Sequence, residues 1–161
     1  MMTVIQQQYA YIKQSREVLF TYFESFSPQD LIQPHISFSG KSLIDLHVHV
    51  AKCYETWISR YLNVERDVLS GTKPESVSEL RNVFQQVDLL VEEFFQKAEG
   101  MLMEEQVYSL WNGKEAEFSP LWLFTHVTTH EYHHKGQIVS LGKMLGYPPP
   151  LTDLVNIIWK K

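Results

Sequence analysis

The stretch "SPLWLFTHVTTHEYHHKGQIVSLGKMLG", residues Ser119–Gly146, carries the signals of a complete helix. Ser119 is suited to cap the N-terminus, and Pro120 fits the first helical position, where no intrahelical acceptor exists for the N–H that it lacks. Gly146 offers a left-handed position after the last turn, and the three prolines that follow Tyr147 cannot continue a helix. The sequence therefore predicts one long helix from Pro120 to about Leu145.

Histidines lie on the side of this helix that should face the protein interior. At 3.6 residues per turn, one stripe brings His130 and His134 one turn apart, where leucines would be expected. His133 is rotated by about 100° from His134, and His126 lies one turn before His130 with a modest rotation. Burying two imidazoles without polar partners is costly, so this pair needs a partner. The apolar members of the stripe are Val127, Ile138, Leu141 and Leu145.

Three further segments show helical periodicity, and pieces rich in Pro, Gly and Ser separate them. The first helix is predicted from about Thr3 to Phe26, the second from near Lys41, after a cap at Ser39 or Gly40, to about Leu62, and the third from a cap at Ser76 or Ser78 to about Glu99. Between the third and fourth helices, "QVYSLWNGKEAEFS" alternates around Asn112-Gly113, a pair that suits a type I′ turn. Because each apolar stripe must be buried against another, we predict an all-α fold: a four-helix bundle with a small hairpin, formed by residues 1–161 as one domain.

Composition narrows the classes of function. The formal net charge of −5 disfavours a polyanion such as nucleic acid as the main partner. Cys53 is the single cysteine and lies in an apolar helical stretch, so no intramolecular disulfide can form and a reducing compartment is the simpler location. The N-terminal segment lacks the pattern of a secretion signal, and no stretch approaches the ~18 apolar residues of a membrane span. We therefore expect a soluble, cytoplasmic protein that binds neither nucleic acid nor a membrane.

Two imidazoles at positions i and i+4 of a helix can chelate one cation, as they do in zinc metalloproteases. His130 and His134 have this spacing, although such pairs are more often packed and hydrogen-bonded. A third histidine is available in "DLHVHVAKCYETW" of the second helix, where His47 and His49 point about 200° apart, so only one can face the centre. The average direction of the apolar positions slightly favours His47.

One histidine followed by "VAKCYETW", together with "HEYHHKGQI" in the last helix, resembles the DinB/YfiT superfamily of small bacterial proteins over nearly the whole chain. The resemblance implies a four-helix bundle that binds a divalent metal, nickel or zinc, through one histidine of the second helix and the pair of the last. The implied ligands are His49, His130 and His134. His49 stands where the family places a histidine ahead of an aromatic residue, here Trp57, and His47 is the alternative.

The resemblance also implies an activity. Characterised members include thiol-dependent transferases and isomerases that use bacillithiol or mycothiol, which implies a thiol S-transferase acting on a small-molecule substrate with a low-molecular-weight thiol. Three neutral imidazoles leave at least one position of the ion open, which also suits metal-dependent hydrolysis. A third possibility is a non-catalytic binding or stress-response module stabilised by the metal. Family members are often homodimers, and we expect a homodimer here.

Other residues are given supporting roles. His35 is expected to be a solvated loop residue, and His126 and His133 to be structural or hydrogen-bonded neighbours of the ligands. Gly136 costs about 1 kcal/mol relative to alanine in mid-helix, which predicts close approach of another helix or backbone. The tail "LTDLVNIIWKK" is expected to add a helical turn or to pack as an arm. The candidates for hydrogen bonds from metal-bound imidazoles are Asp45, Glu55 and Glu131, and those for a subunit interface are Trp111, Trp122 and Trp159.

Overall fold

The structure, a computed structural model, describes residues 3–110 and 112–155. These residues contain five α-helices and a two-stranded antiparallel sheet, so a mostly helical chain with a small hairpin is confirmed. The predicted first to fourth helices correspond to α1, α3, α4 and α5. The elements are α1 (Val4–Phe23), α2 (Pro28–Ile32), α3 (Leu43–Leu62), α4 (Val77–Lys97), β1 (Gln106–Ser109), β2 (Glu115–Phe118) and α5 (Pro120–Met144).

Polar side chains fix where the long helices begin. Thr3, Ser76 and Ser119 cap α1, α4 and α5 by accepting a backbone hydrogen bond from the first helical turn. The cap of α3 is Ser42, not Ser39 or Gly40 as predicted. Ser42 Oγ accepts the amide hydrogen of Asp45 at 3.1 Å, and the Asp45 carboxylate accepts the Ser42 amide hydrogen at 2.9 Å. This capping box starts the helix at Leu43.

The segment between α1 and α3 is more ordered than the sequence predicts. α1 ends at Phe23 rather than Phe26, because Ser27 caps the short helix α2 with Pro28 at its start. A 3₁₀ turn follows at Ile36–Phe38. Ser39 and Gly40 then have positive φ angles of 55° and 74°, which explains why neither caps α3.

The core lies where α3 packs against both α4 and α5. It is rich in aromatic side chains: the rings of Phe94 and Phe124 are nearly parallel, with centroids 6.4 Å apart. Full burial of such a side chain contributes about 1.5–3 kcal/mol, so this pair stabilises the packing of α4 against α5. The largest fully buried side chains include Phe23, Tyr54, Phe84, Phe94 and Phe124.

The hairpin joins α4 to α5, but its turn differs from the prediction. The Leu110 amide donates to the Lys114 carbonyl at 2.6 Å. Gly113 takes a positive φ of 75°, whereas Asn112 is not among the described residues with a positive φ. A type I′ turn needs a positive φ at both positions, so the turn type predicted at Asn112-Gly113 is wrong.

Close packing occurs at a different glycine from the one predicted. A Cβ placed on Gly136 would meet nothing within 4 Å, so the predicted close approach there is wrong. A Cβ on Gly142 would instead fall 2.7 Å from Phe26 Cζ and would also collide with the Tyr22 hydroxyl. The close packing of α5 therefore lies at Gly142, against the side chains of Tyr22 in the last turn of α1 and of Phe26 just after it.

Within the described ranges, none of the helices has the length and apolar content needed to cross a bilayer. The tail beyond residue 155 lies outside the described residues, as does most of the helical turn or arm expected there.

A candidate metal centre

Three histidines from two helices meet at the α3–α5 interface. His49 of α3 and His130 and His134 of α5 each offer a ring nitrogen, and these nitrogens lie within 4.8 Å of one another. The ring centroids are separated by 5.0 Å for His49 and His130 and by 4.4 Å for His130 and His134. This is the arrangement expected of three ligands that converge on one position.

The three rings differ in exposure. His49 is exposed, His130 is half-buried and His134 is 8% exposed. The cluster therefore runs from the interior of the protein to its surface, and its open side is the side of His49. An ion held there would be reachable from solvent, unlike one in a closed structural site.

The chemistry of the donors fits a cation. His130 Nε2 is buried and has no hydrogen-bond partner among the residues described, and such an orphan is costly unless a ligand satisfies it. Desolvation by burial, helped by the nearby His134 and His49, lowers the pKa of His130 to about 4. Burial also lowers the pKa values of His49 and His134. All three rings are therefore neutral near pH 7, which is the form that binds metals.

His134 has a hydrogen-bond partner that the sequence did not suggest. Its Nδ1 lies 2.7 Å from Oε1 of Gln137, one turn along α5. Two of the carboxylates proposed for this role are engaged elsewhere. Asp45 caps α3 and pairs with Lys73, while Glu55 pairs with Lys52.

The third carboxylate, Glu131, belongs to a buried ion pair. Arg16 of α1 donates to both of its oxygens, at 2.8 and 2.9 Å, and the Tyr54 hydroxyl donates to Oε2 at 2.7 Å. Arg16 is only 3% exposed and also donates to Asp88 at 2.8 Å. This network ties α1, α3, α4 and α5 together directly beside His130. Its sequence signal is a charged residue, Arg16, within the apolar stripe of α1.

His47 does not join the cluster. It is 1% exposed and packs among Phe20, Phe23 and Phe84, with ring centroids 4.2–5.5 Å away. The mean direction of the apolar positions of α3 thus correctly identifies His47 as the more buried histidine. That direction, however, points toward α1 and α4 and not toward α5. His49 faces α5 because α3 packs on more than one side.

The remaining histidines surround the cluster or lie apart from it. His126 stacks parallel to Trp122, with ring centroids 5.3 Å apart, and its Nε2 is 3.9 Å from Cys53 Sγ. Burial raises the pKa of Cys53 to about 12, so this thiol is protonated at neutral pH.

His35 is half-buried with an enclosed Nε2, so the expectation of a solvated side chain is wrong. Trp122 is 47% exposed; Trp111 and Trp159, the other proposed interface residues, lie outside the described residues.

Comparison with known proteins agrees with this architecture. A DinB-like protein from Bacillus cereus, known from a crystal structure, superposes on this chain with a TM-score of 0.67 and 17% sequence identity; the match covers 91% of this chain and 94% of that one. The comparison with curated proteins gave no match. The model of the DinB family matches residues 1–161. The chain therefore belongs to the DinB family.

Proposed function

We propose that this protein is a divalent-metal-dependent enzyme whose ligands are His49, His130 and His134, and whose activity is the transfer of a low-molecular-weight thiol of the bacillithiol type to a small-molecule electrophile. The observation that carries the proposal is the convergence of three neutral imidazoles with one exposed side. The four-helix-bundle scaffold expected from the sequence belongs to the same proposal. Zinc and nickel are the ions proposed.

The protein's own contribution is to hold the donors and keep them neutral. α3 and α5 are fixed against each other by apolar packing and by the hydrogen bond from the Tyr54 hydroxyl of α3 to Glu131 of α5, the residue after His130. When bound, a divalent ion would lower the pKa of a thiol or water at its open position toward neutrality. The exposed side at His49 leaves room for that second molecule to arrive.

The state of the three carboxylates considered as partners of the histidines favours thiol chemistry over hydrolysis. Asp45, Glu55 and Glu131 are each paired with a cation or used in a cap, so within the described ranges none of these three is free to act as a general base. A thiol at the open position loses its proton because the ion lowers its pKa, so no protein base is needed. Hydrolysis of esters and amides is accelerated more strongly by a positioned general base. Metal-dependent hydrolysis is therefore the second candidate.

The test begins with metal content and continues with thiol binding. Purified protein should bind about one Zn²⁺, Ni²⁺ or Co²⁺ ion per chain. Bacillithiol added to the Co²⁺ form should produce a thiolate-to-metal absorption band, and the loaded protein should accelerate conjugation of bacillithiol to monochlorobimane. His49→Ala, which removes the exposed ligand, is the matched control and should show neither signal.

Each outcome separates the candidate functions. Metal binding without a thiol band, but with turnover of p-nitrophenyl acetate that His49→Ala abolishes, would replace transfer by hydrolysis. Metal binding with neither reaction, and with metal loss affecting only the melting temperature, would favour the non-catalytic module.

The homodimer and the cytoplasmic location expected from the sequence belong to the proposal as well. A cytoplasm keeps thiols reduced, which a thiol-dependent enzyme requires. Exposed apolar side chains such as Trp122 and Leu151 offer surface for a second copy. Light scattering after gel filtration measures the mass, and a monomer would contradict the dimer.

A further inference from the structure

The side-chain amide of Gln137 contacts two histidines at once. Its Oε1 lies 2.7 Å from Nδ1 of His134, and its Nε2 lies 3.2 Å from Nε2 of His133. His134 is one of the three clustered rings, whereas His133 is exposed and lies outside the cluster. Gln137 therefore forms a bridge between a candidate ligand and a ring at the surface.

The orientation of the amide determines where the protons lie on the two rings. An amide oxygen only accepts and an amide nitrogen only donates, so in this orientation Nδ1 of His134 carries the proton and Nε2 of His133 accepts one hydrogen bond. A neutral imidazole has one N–H, so Nε2 of His134 keeps its lone pair free. That nitrogen is the donor available to a cation.

The second contact, to His133, links the orientation of the amide to the tautomers of both rings. If the amide were flipped, its NH₂ group would face Nδ1 of His134, and the proton of that ring would move to Nε2, where it would block metal binding. In that flipped state Nε2–H of His133 would donate to the amide oxygen, so the two rings change tautomer together through Gln137. The tautomer of His133 that is protonated at Nδ1 accompanies the orientation that leaves His134 ready to bind.

We propose that Gln137 is a positioning residue that selects the metal-binding tautomer of His134 and couples it to the tautomer of His133. This inference rests on the proposed metal site but concerns a different residue. Hydrogen bonds from the second nitrogen of a metal-bound imidazole typically change metal affinity 10–100-fold. Gln137 takes the hydrogen-bonding role beside His134 that was expected of a carboxylate.

Metal affinity measured with three variants tests the proposal. Gln137→Leu removes the acceptor and should weaken Zn²⁺ binding, measured by competition with a chromophoric chelator, by about 10–100-fold. Gln137→Glu offers a stronger acceptor to Nδ1–H and should bind Zn²⁺ more tightly than both the native chain and Ser140→Glu. Ser140→Glu places the same added charge on an exposed site of α5 and controls for long-range attraction.

Two results would overturn the inference. One is a Gln137→Leu affinity equal to that of the native protein. The other is a Gln137→Glu affinity reduced as much as that of Gln137→Leu, or raised no more than that of Ser140→Glu. A purely packing role for Gln137 would weaken both variants alike, so the opposite responses of Leu and Glu are the signature of tautomer selection.

The tautomer itself can be observed in the metal-free native protein, without any variant. Long-range ¹H–¹⁵N spectra should show His134 and His133 both protonated at Nδ1 at pH 7. A His134 ring protonated at Nε2 would overturn the inference even if metal binds. If no metal binds but His134 is protonated at Nδ1, the proposed function fails while the bridge by Gln137 stands.

Discussion

The rings of His49 and His134, on different helices, lie with their centroids 4.8 Å apart and their planes at 87°. His49 is exposed and His134 is buried, so the pair joins the surface of the protein to its interior across the α3–α5 interface. A cation held by both would add a cross-link between two helices that also meet through apolar packing and the Tyr54–Glu131 hydrogen bond. Metal binding and fold stability are therefore expected to be coupled.

Removing a clustered histidine should remove the metal. His49→Ala, His130→Ala and His134→Ala are each expected to lower the metal content from about one ion per chain to a small fraction of it, since two imidazoles bind much more weakly than three. Elemental analysis of dialysed protein measures this. His126→Ala is the control, because its ring is 6.1 Å from that of His130 and outside the cluster; metal loss in this variant alone would move the site toward Cys53.

His47→Phe should keep the metal and leave the fold at least as stable. Neither nitrogen of His47 has a hydrogen-bond partner among the described residues, and an unsatisfied buried polar group costs about 1–3 kcal/mol. Phenylalanine has a similar shape and suits the surroundings formed by Phe20, Phe23 and Phe84. Urea unfolding should show an unfolding free energy equal to or about 1 kcal/mol above that of the native chain. Loss of metal in this variant would mean that His47, not His49, is the ligand.

Acid should destabilise the metal-free protein through its histidines. Burial holds the pKa of His130 at about 4 and the pKa of His47 well below 6.5, whereas both return to about 6.5 in the unfolded chain. The unfolded state therefore binds more protons below pH 6.5, and the free energy of unfolding falls as the pH drops from 6.5 toward 4. Above pH 6.5 both groups are neutral in the folded and the unfolded chain, so they do not change the free energy of unfolding with pH.

Urea midpoints at pH 7.5, 6, 5 and 4.5 measure this dependence. His47→Phe should lose less stability across the same range because one of the buried titrating rings is gone. A flat profile between pH 6.5 and 4.5 would show that the folded rings are protonated as readily as the unfolded ones.

Breaking the buried ion pair should be far more damaging than breaking an exposed one. Arg16→Met removes the guanidinium from the buried Glu131 carboxylate, which keeps the hydrogen bond from the Tyr54 hydroxyl, and removal of one partner of a buried pair costs about 3–5 kcal/mol. Arg66→Met breaks the exposed pair with Glu93, whose closest atoms are 2.9 Å apart, and should change stability by about 1 kcal/mol or less.

Chemical denaturation of both variants gives the comparison. Similar small losses would mean that water reaches Glu131 and screens its charge. Because Glu131 adjoins His130, Arg16→Met is also expected to weaken metal binding, which elemental analysis of the folded fraction would show.

Local signals made much of the fold predictable. Ser119 and Pro120 mark the start of α5, and Gly146 marks its end, because capping depends on residues within one turn of each other. The same holds for Ser76 at the start of α4. The His130–His134 spacing follows from helical geometry alone, so the sequence predicts that these two rings of α5 lie one turn apart without knowledge of any tertiary contact.

Tertiary packing decided the rest. α3 is buried on more than one side. The mean direction of its apolar positions therefore favours His47, whereas His49 is the histidine that faces α5. The Arg16–Glu131 pair joins residues far apart in the sequence, and no local pattern links them. Gln137 could have been found from its i+3 spacing to His134, had amides been considered beside carboxylates as partners of a metal-bound ring.

Two glycines of α5 should respond in opposite ways to alanine. Gly136 has open space around it, so Gly136→Ala should raise stability by up to about 1 kcal/mol through helix propensity alone. Gly142→Ala would push a methyl group into Tyr22 and Phe26, both buried, and Phe26 is held against Tyr147 with ring centroids 3.9 Å apart. Because these rings have little freedom to move away, overpacking should lower stability by about 1–3 kcal/mol.

Thermal unfolding of the two variants beside the native chain measures the difference. The substitution, the helix and the change in chain entropy are the same in both, so the contrast isolates the contact between α5 and α1. Equal stabilisation by both alanines would show that α1 can shift away from Gly142. The Tyr22 hydroxyl, which donates to the Tyr147 carbonyl at 3.1 Å, would then have to give up that hydrogen bond without a measurable loss.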